Sequence, residues 1–459
     1  MNAALLAALE QICGPGGLLA QKAEIEPYLT DWRGVFHGGA LAVARPADTA
    51  SVAACVRACA QAGAAIVPQG GNTGLAAGAT PLGLQQAVVL NLSRMRRIRT
   101  LDAPGFTIAV DAGCVLADVQ DAAENAGRFF PLSLAAEGSA QIGGLIATNA
   151  GGTAVLRYGS MRALVLGLEV VLADGSLADG MRALRKDNAG YDWKQLFIGS
   201  EGTLGVITGA VLRLFPRSSH RVTALLALES AQDAIQAFAG VQEALGETLT
   251  ACELFGEPAV ALRLRYQPQL TRPIGPHPWY LLIEAASSLP GLHEGAEAAL
   301  ARMLERGYAA ECVLAGSSAQ AQALWEWRET ISENERRAGA SAKHDVSVAI
   351  SAIPAFLERA THAVEREHPS TEVIAFGHAG DGNIHFNVLL GEQARAHDVS
   401  RTVHAIVGEF GGSITAEHGI GRYRRDELPE HRSAAEMALM RAVKAALDPN
   451  RLMNPGAVL

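Results

Sequence analysis

The sequence predicts an α+β fold that is divided into more than one domain. Its 459 residues exceed the roughly 100–200 residues of a usual single domain. An apolar run at Leu41–Ala44, a helical pattern that ends at Gly63 and a second apolar run at Ala65–Val67 predict a strand–helix–strand unit. After Arg217, glycine-rich loops give way to strands that alternate with long helices. We therefore expect a glycine-rich α/β domain followed by a domain of different construction.

The first predicted helix shows how each element is assigned. Asp48 or Thr49 can cap its N-terminus, and Val52, Val56 and Cys59 recur at the spacing of one buried helical face. The same reasoning predicts further elements, which in chain order are strands Ala87–Ser93 and Phe106–Gly113, helix Leu116–Ala126, a hairpin turning at Asp174-Gly175, strand Thr223–Leu228, helix Ala231–Leu245, strand Trp279–Ala285 and helices Gly295–Arg306 and Ala434–Leu447.

Composition and charge exclude several classes of protein. The chain is 49% hydrophobic and 19% charged, which is typical of a soluble globular protein. Its net charge of −9 and the lack of a basic block argue against nucleic-acid binding. No apolar stretch reaches the roughly 18 residues of a membrane span, and the N-terminal segment has the pattern of an amphipathic helix rather than a secretory signal. Six scattered cysteines without a CxxC pair indicate a reducing compartment, and hence the cytoplasm.

Three glycine-rich stretches in the first half of the chain indicate a large, elongated cofactor. The first, PQGGNTG at Pro68–Gly74, offers successive backbone N–H groups that suit a phosphate or pyrophosphate. The others lie at Glu137–Gly152 and Phe197–Thr208, and each of the three is expected to follow a strand. Neither GxxxxGK[ST] nor GxGxxG occurs in them, so the nucleoside triphosphate and nicotinamide interpretations lack their motif. Taken singly, a glycine-rich stretch is more often an ordinary turn.

Two histidines and a distant glutamate form a candidate metal site. In GHAGDGNIHF, His378 and His385 flank a Gly-Asp-Gly-Asn turn that can bring both imidazoles to one point. Glu417 in AEHGIG offers an anionic oxygen, and two histidines with one carboxylate suit Zn²⁺ or another divalent ion with an open position. The alternative for any one of these histidines is a core residue with satisfied hydrogen bonds.

These stretches together resemble one family. PQGGNTGL, GGLIATNAGG, LRYGS, YDWKQLFIGSEGTLGVIT, GHAGDGNIHFN, AEHGIG and the terminal NPG are similar to the FAD-linked 2-hydroxy-acid dehydrogenases of the vanillyl-alcohol-oxidase superfamily, and most similar to the D-2-hydroxyglutarate dehydrogenases. The resemblance implies a two-lobed FAD-binding domain of the PCMH/VAO type over residues 1–216, an α+β cap domain over 217–414, and C-terminal helices over 415–459 that return to the FAD domain. The active site is then expected between the domains.

The resemblance also implies which residues hold the cofactor. Related proteins sometimes attach the flavin covalently through a histidine of this loop. The first glycine stretch carries Asn72 and no histidine, so non-covalent FAD is expected. The residues implied in FAD binding are Pro68, Gln69, Gly70, Gly71, Asn72, Thr73, Gly74 and Leu75 at the pyrophosphate, Gly138, Ser139, Gly143, Gly144, Thr148, Asn149, Gly151 and Gly152 along the dinucleotide, Glu201, Gly202, Gly205 and Ile207 at the adenine end, and Asn454 near the isoalloxazine.

A substrate pocket follows from the same resemblance. Ser332 and Lys343 follow Arg328 by 4 and 15 positions, which resembles the distal-carboxylate pocket of D-2-hydroxyglutarate dehydrogenases. That family usually has threonine where this chain has Ser332, and the hydroxyl is retained. Ser332 is expected one helical turn after Arg328, with Asn387 completing the substrate shell. His418 would contact the substrate and act as general base, beside the metal ligand Glu417. The alternative for this cationic stretch is a solvated helix face, and for the neighbouring Arg336 and Arg337 that interpretation is preferred.

The expected activity is therefore oxidation of D-2-hydroxyglutarate to 2-oxoglutarate by hydride transfer to FAD. The nearest alternative is a dehydrogenase for D-lactate, glycolate or another D-2-hydroxy acid. Two further alternatives are a zinc hydrolase without flavin and a flavin-bearing subunit of a larger electron-transfer assembly. The expected partners are a small 2-hydroxy dicarboxylate and an electron acceptor, either an electron-transfer flavoprotein or a quinone. The sequence leaves the oligomeric state open, a homodimer included.

Overall fold

A computed structural model describes residues 2–84, 86–391 and 395–459, and its chain divides into two compact units. The first unit comprises Met1–Gly152, Gly159–Arg217 and Glu417–Leu459. The second comprises Thr153–Tyr158 and Ser218–Ala416. The short helix Val155–Tyr158 thus belongs to the second unit although its neighbours along the chain belong to the first. Nothing in the sequence pattern marks this exchange.

The first unit opens with a four-stranded sheet and the helix predicted beside it. Its strands lie in the spatial order Leu18–Leu19, Ala42–Ala44, Ala87–Asn91 and Ala65–Gln69. The last three are parallel to one another, as the strand–helix–strand pattern predicts.

The connecting helix Thr49–Ala62 is built as predicted. Asp48 accepts a hydrogen bond from the backbone N–H of Ser51, and Gly63 ends the helix in the left-handed region with φ of 64°. Val52, Val56 and the two cysteines one turn apart, Cys55 and Cys59, are buried on its inner face. The interpretation of these cysteines as small core residues is confirmed.

A second, antiparallel sheet completes the strand framework of the first unit. Its spatial order is Ile98–Asp102, Thr107–Asp111, Val206–Arg213, Val165–Val171 and Leu177–Asp179. The last two strands form the predicted hairpin around Asp174-Gly175. Phe215–Pro216 pairs separately with Arg128–Phe129. The helices of this unit are Asn2–Cys13, Lys22–Ile25, Thr49–Ala62, Leu116–Asn125, Ile142–Ala147, Met161–Leu164, Lys194–Phe197 and Ala434–Leu447, with 3-10 turns at Glu26–Tyr28 and Leu428–Glu430.

An ionic cluster is buried in this second sheet. The Arg99 guanidinium donates to Asp111 at 2.7 Å and to Glu169 at 2.8 Å. Thr49 and Thr208 also donate hydroxyl hydrogen bonds to Glu169. Burial would raise the pKa of Glu169, but these donors outweigh it and hold the pKa below its usual value. The cluster joins the connecting helix to four strands of the second sheet.

The second unit is a single antiparallel sheet with helices packed on it. Its spatial order is Glu311–Leu314, His220–Leu228, Trp279–Ser287, Leu249–Gly256, Glu372–His378, Asn383–Leu389 and Ser341–Ala342, and Asp345–Ser347 also pairs with Asn383–Leu389. The helices are Val155–Tyr158, Ala231–Leu245, Glu257–Tyr266, Leu292–Glu305, Ser318–Glu329, Ile331–Ala338, Ile353–Glu367 and Ala396–Glu409, with 3-10 turns at Gly246–Thr248 and Ile350–Ala352. No helix in the described ranges combines the length and apolar character needed to cross a membrane.

Two local predictions are wrong. Arg328 and Ser332 do not share one continuous helix, because the first helix ends at Glu329 and the next begins at Ile331. Only the first glycine stretch follows a long strand. The second contains the helix Ile142–Ala147, and the third follows the helix Lys194–Phe197 and leads into a strand. Glycine permits close approach in any of these settings, so its clustering does not specify which element precedes it.

The N-cap of Thr49–Ala62 predicts a measurable loss of stability. Replacing Asp48→Ala removes the acceptor for the Ser51 N–H, which lies 2.8 Å away. The free energy of unfolding should fall by about 1 kcal/mol. Asp121→Ala is the matched control, since Asp121 is exposed inside the helix Leu116–Asn125, and it should change stability by less than about 0.5 kcal/mol. Equal losses from both variants would contradict the capping role.

Candidate active site

Three glycine-rich loops meet in the first unit. We call them the first (Pro68–Leu75), second (Glu137–Gly152) and third (Phe197–Thr208) glycine loops. A Cβ atom added to Gly71 would lie 2.0 Å from the Ser139 carbonyl oxygen, and one added to Gly202 would lie 3.1 Å from the Pro68 ring. The backbone N–H of Glu201 donates to the second loop at 2.8 Å. Side chains at these glycines would force the loops apart.

The first loop is suited to an anionic ligand. Among the described residues, the backbone N–H groups from Gly70 to Leu75 have no hydrogen-bond acceptor. Asn72 lies in the left-handed region with φ of 54°, and successive N–H groups around such a residue form a concave anion site. The amide oxygen of Gln141 is buried next to Gly70 and also lacks a partner in the described chain. A buried acceptor left unpaired calls for a hydrogen-bond donor, whereas the unpaired N–H groups of the loop fit the pyrophosphate of a dinucleotide.

Several other residues predicted to bind the cofactor make close contacts within the protein itself. Thr148 donates its hydroxyl to the Gly144 carbonyl at 3.2 Å, so this hydroxyl caps the helix of the second loop. Gly152 has φ of 131°, and a Cβ there would lie 2.0 Å from the Ser133 carbonyl. Gly205 packs against Val170, and Ile207 is buried in a strand. The roles of these residues in FAD binding stay predictions.

A fourth segment of the first unit is held by the third glycine loop. We call it the Glu417 loop (Glu417–Arg422). The Glu201 carboxylate accepts the backbone N–H groups of Ile420 and Gly421, each at 2.8 Å. A Cβ on Gly419 would lie 2.7 Å from a Glu201 oxygen. The Glu201 side chain therefore positions the loop that carries Glu417 and His418, and its predicted place at the adenine end stays a prediction.

Arg422 and Asn454 fix the other end of the Glu417 loop. Arg422 donates to the Gly78 carbonyl at 2.9 Å and to the Asn454 side-chain oxygen at 2.7 Å. Asn454 in turn donates to the Gly78 and Glu201 carbonyls. Gly421 has φ of 54°, and a Cβ there would lie 1.9 Å from the Ala76 carbonyl. The terminal Asn-Pro-Gly segment thus fixes the loop of the predicted base.

In the second unit, a hairpin brings the two predicted metal histidines together. The strands Glu372–His378 and Asn383–Leu389 are joined by the turn that the sequence predicts. The imidazole centroids of His378 and His385 lie 5.5 Å apart in an edge-on arrangement. The sequence argument that this turn unites both rings is therefore confirmed.

A carboxylate lies behind each of these two rings. Glu253 lies 2.6 Å from Nδ1 of His378, and Asp345 lies 3.6 Å from Nδ1 of His385. Metal-binding histidines typically have a carboxylate at the ring nitrogen that does not face the metal. The backbone N–H of Ala416 donates to the Asp345 carbonyl at 2.9 Å, and Glu417 is the next residue along the chain. The donor types and their support thus fit a divalent metal.

Arg328 is the second partner of Glu253. Its Nε donates to the second oxygen of Glu253 at 2.7 Å, and its guanidinium carbon lies 4.7 Å from the centre of the Phe376 ring. The side chain is 11% exposed. Burial would raise the pKa of Glu253, but the charges of His378 and Arg328 outweigh it and lower that pKa to about 2. In the described chain, Nη1 and Nη2 of Arg328 make no hydrogen bond, so both can bind a carboxylate.

Lys343 and Asn387 share a second buried glutamate. Glu335 is fully buried and lies 3.2 Å from Nζ of Lys343 and 2.9 Å from Nδ2 of Asn387. The Asn387 side-chain oxygen accepts the backbone N–H of His344. The amide of Asn387 therefore contacts protein groups at both ends, and its direct contact with substrate stays a prediction. Burial raises the pKa of Glu335.

Ser332 is exposed and belongs to the helix after the one that carries Arg328. Arg336 and Arg337 in that helix are exposed, as the solvated-face interpretation predicts. Sequence reasoning missed Glu253, Glu335 and Asp345. One signal was available for Glu253, because it is the single charged residue in the otherwise apolar run LTACELF, and a charge in a buried strand is unusual.

The family follows from comparison with known proteins. Residues 40–180 match the family described as FAD binding domain, and residues 217–458 match FAD linked oxidases, C-terminal domain. The chain belongs to the FAD-linked oxidases. It is therefore an FAD-dependent oxidoreductase, in agreement with the resemblance seen in its motifs.

Relatives that match over most of their own length carry the names of D-2-hydroxy-acid dehydrogenases. A mitochondrial D-2-hydroxyglutarate dehydrogenase of Bos taurus is 38% identical over 99% of this chain and 83% of its own length. A D-2-hydroxyglutarate dehydrogenase of Xanthomonas citri pv. viticola is 40% identical over 96% and 93%. A protein of Schizosaccharomyces pombe, provisionally named a mitochondrial D-lactate dehydrogenase, is 36% identical over 94% and 84%.

Solved structures support the fold class. A crystal structure of p-cresol methylhydroxylase with bound substrate superposes with a TM-score of 0.79 over 99% of this chain and 96% of its own, at 17% identity. At that identity the likeness concerns the fold alone. The predicted α+β fold of the PCMH/VAO type is confirmed.

The burial of Glu201 predicts a pH dependence of stability. Burial raises its pKa to about 7, against the opposing effect of the two backbone N–H groups. The native state then binds a proton between pH 4.5 and 7 that the unfolded state has released. The stabilisation is complete below the unfolded pKa and is lost as the pH rises through about 7.

Urea unfolding of the wild type and Glu201→Gln at pH 5, 6, 7 and 8 measures this effect. The wild type should lose stability relative to the variant across this range, by up to about 3 kcal/mol. Glu10→Gln, at an exposed position of the first helix, is the control and should follow the wild type. Parallel curves for Glu201→Gln and the wild type would contradict the protonation.

Proposed function

We propose that this protein oxidises D-2-hydroxyglutarate to 2-oxoglutarate with non-covalent FAD and a divalent metal ion. The observation that carries the proposal is the pair of cations in the second unit. Arg328 and Lys343 are each paired with a fully buried glutamate, Glu253 and Glu335. Buried carboxylates hold these cations in fixed positions, as recognition of a second substrate carboxylate requires. The relatives that carry the D-2-hydroxyglutarate dehydrogenase name point the same way.

The residues present suit both cofactors. The unpaired N–H groups of the first glycine loop would hold the pyrophosphate of FAD, which supplies a hydride acceptor when bound. His378, His385 and Glu417 would hold the metal, which supplies a positive charge for the substrate's 2-hydroxyl and 1-carboxylate oxygens when bound. Two histidines and one carboxylate suit Zn²⁺ and leave a position open.

Side chains of the protein would then bind the substrate and accept its proton. Arg328 would bind the distal carboxylate through Nη1 and Nη2, as guanidinium groups do in bidentate pairs. Lys343 would add a second positive charge, and Ser332 a hydroxyl. His418 would accept a proton from the substrate as general base. Arg422, Asn454 and Glu201 would keep His418 in place through the Glu417 loop.

Each alternative function would use a different set of residues or give a different kinetic result. Lactate and glycolate have one carboxylate and offer no distal carboxylate to Nη1 and Nη2 of Arg328. A zinc hydrolase would need neither the N–H array of the first glycine loop nor the FAD that the family implies. A subunit of a larger assembly would show little turnover with an artificial acceptor. We propose a cytoplasmic location from the reduced cysteines and an electron-transfer flavoprotein or quinone as acceptor.

Replacing Arg328→Ala tests the substrate. The KM for D-2-hydroxyglutarate should rise by about 30-fold or more, since loss of a buried charge-assisted pair costs about 2–5 kcal/mol. The KM for D-lactate should change far less, because lactate has no second carboxylate. Steady-state kinetics with an artificial electron acceptor measures both. The exposed Arg336→Ala is the control and should leave both KM values unchanged. A similar rise for both substrates would count against the pocket.

Removing the metal tests the second cofactor. Dialysis of the yellow enzyme against a chelator should abolish most turnover while the flavin absorbance remains, because the proposed ligands and the N–H array of the first loop are separate sets of residues. Adding Zn²⁺ should restore activity. Elemental analysis before and after dialysis supplies the metal content. Full activity in a preparation shown to be metal-free would refute the metal requirement.

A further inference from the structure

Glu253 is an unusual residue for its position. It lies in the strand Leu249–Gly256, whose residues are all buried, and its own side chain is fully buried. Removing a carboxylate from water is costly unless strong partners replace the lost hydration. A buried strand is more simply built from apolar residues. The presence of a charged carboxylate at Glu253 therefore indicates that it has a specific role.

The two oxygens of Glu253 bind two different groups. Oε1 lies 2.6 Å from Nδ1 of His378, and Oε2 accepts from Nε of Arg328 at 2.7 Å. His378 is the direct cross-strand partner of Glu253 in the sheet. Arg328 comes from the helix Ser318–Glu329, 75 positions further along the chain. One carboxylate thus joins a proposed metal ligand to a proposed substrate ligand.

Each contact has a clear physical consequence. A carboxylate at Nδ1 fixes the His378 tautomer, so the ring presents Nε2 to a metal as a stronger ligand. The bond at Nε of Arg328 fixes the guanidinium plane and orients Nη1 and Nη2 for a bidentate carboxylate. Phe376 adds a ring face 4.7 Å from the guanidinium carbon and lies 5.0 Å, centre to centre, from the His385 ring. Metal and substrate groups therefore share one rigid support.

We propose that Glu253 is a positioning residue that sets both the metal affinity of His378 and the recognition of the substrate's distal carboxylate by Arg328. The inference rests on the proposed function for the identity of the metal and substrate ligands. It adds that the two properties depend on one side chain. A change at Glu253 alters both together, whereas a change at either partner alters its own property first.

The chain provides matched controls. Glu335 is fully buried like Glu253, but it pairs with Lys343 and Asn387 and with neither metal histidine. Glu169 is a buried carboxylate paired with Arg99 in the first unit. Glu→Gln at all three positions keeps the shape and removes the charge. The three variants therefore separate metal support, substrate support and the general cost of losing a buried ion pair.

The experiment measures three quantities on the FAD-containing enzyme. Zinc affinity is obtained from the metal-stripped protein by competition with a chromophoric chelator. KM is measured with D-2-hydroxyglutarate and with D-lactate, and stability by thermal unfolding. Glu253→Gln should weaken zinc binding by about 10–100-fold and raise the KM for D-2-hydroxyglutarate more than that for D-lactate. Glu335→Gln should raise the first KM with zinc affinity unchanged. Glu169→Gln should lower stability alone.

The outcomes distinguish the inference from the function it rests on. Wild-type zinc affinity in Glu253→Gln, with only a stability loss like that of Glu169→Gln, would overturn the inference and leave the proposed function intact. A wild-type enzyme that binds no zinc would overturn the proposed metal site and the inference with it. Glu253→Asp serves if Glu253→Gln does not fold. It keeps the charge but is too short to span both partners, so zinc affinity or the KM must still change.

Discussion

A carboxylate buried without water must be paired with positive or hydrogen-bond-donating groups, and this constraint organises the functional part of the protein. Glu253 satisfies it with His378 and Arg328. Glu335 satisfies it with Lys343 and Asn387, and Glu201 with two backbone N–H groups of the Glu417 loop. In each case the partners are the predicted ligand groups or the segment that carries them. The contacts offset the cost of burial for Glu253, whose pKa is lowered. They offset it only in part for Glu335 and Glu201, whose pKa values stay raised. In all three cases the contacts also fix the site geometry.

In the first unit the constraint is different, because its backbone must lie close to a long cofactor. Its three glycine loops approach so closely that a Cβ at Gly71 would overlap the Ser139 carbonyl. The N–H groups of the first loop remain unpaired within the described chain. A nest of this kind binds through the backbone, so its specificity depends on loop geometry and hardly at all on side-chain identity. A solved structure at 17% identity shares the fold.

The first two glycine loops and the residues proposed to bind metal and substrate fall in different family matches. The match to the FAD binding domain covers residues 40–180, and the second family match covers residues 217–458, which carry the histidine pair, Arg328 and Lys343. If the proposed function is correct, substitutions among the second-unit residues would alter the substrate without changing the glycine loops. Function in such a fold is decided by the site and not by the architecture.

The sequence by itself determined the elements with strong local signals. The cap at Asp48, the helix Ala434–Leu447 and the turn between His378 and His385 follow from capping, periodicity and glycine placement, which act over a few residues. The motifs also gave the family and FAD. Only the tertiary structure decided that Arg328 and Ser332 lie on separate helices, that Glu201 holds the Glu417 loop, and that Glu253 joins His378 to Arg328. The contacts of Glu201 and Glu253 link residues 75 to 220 positions apart. Their free energies depend on burial, which no local pattern encodes.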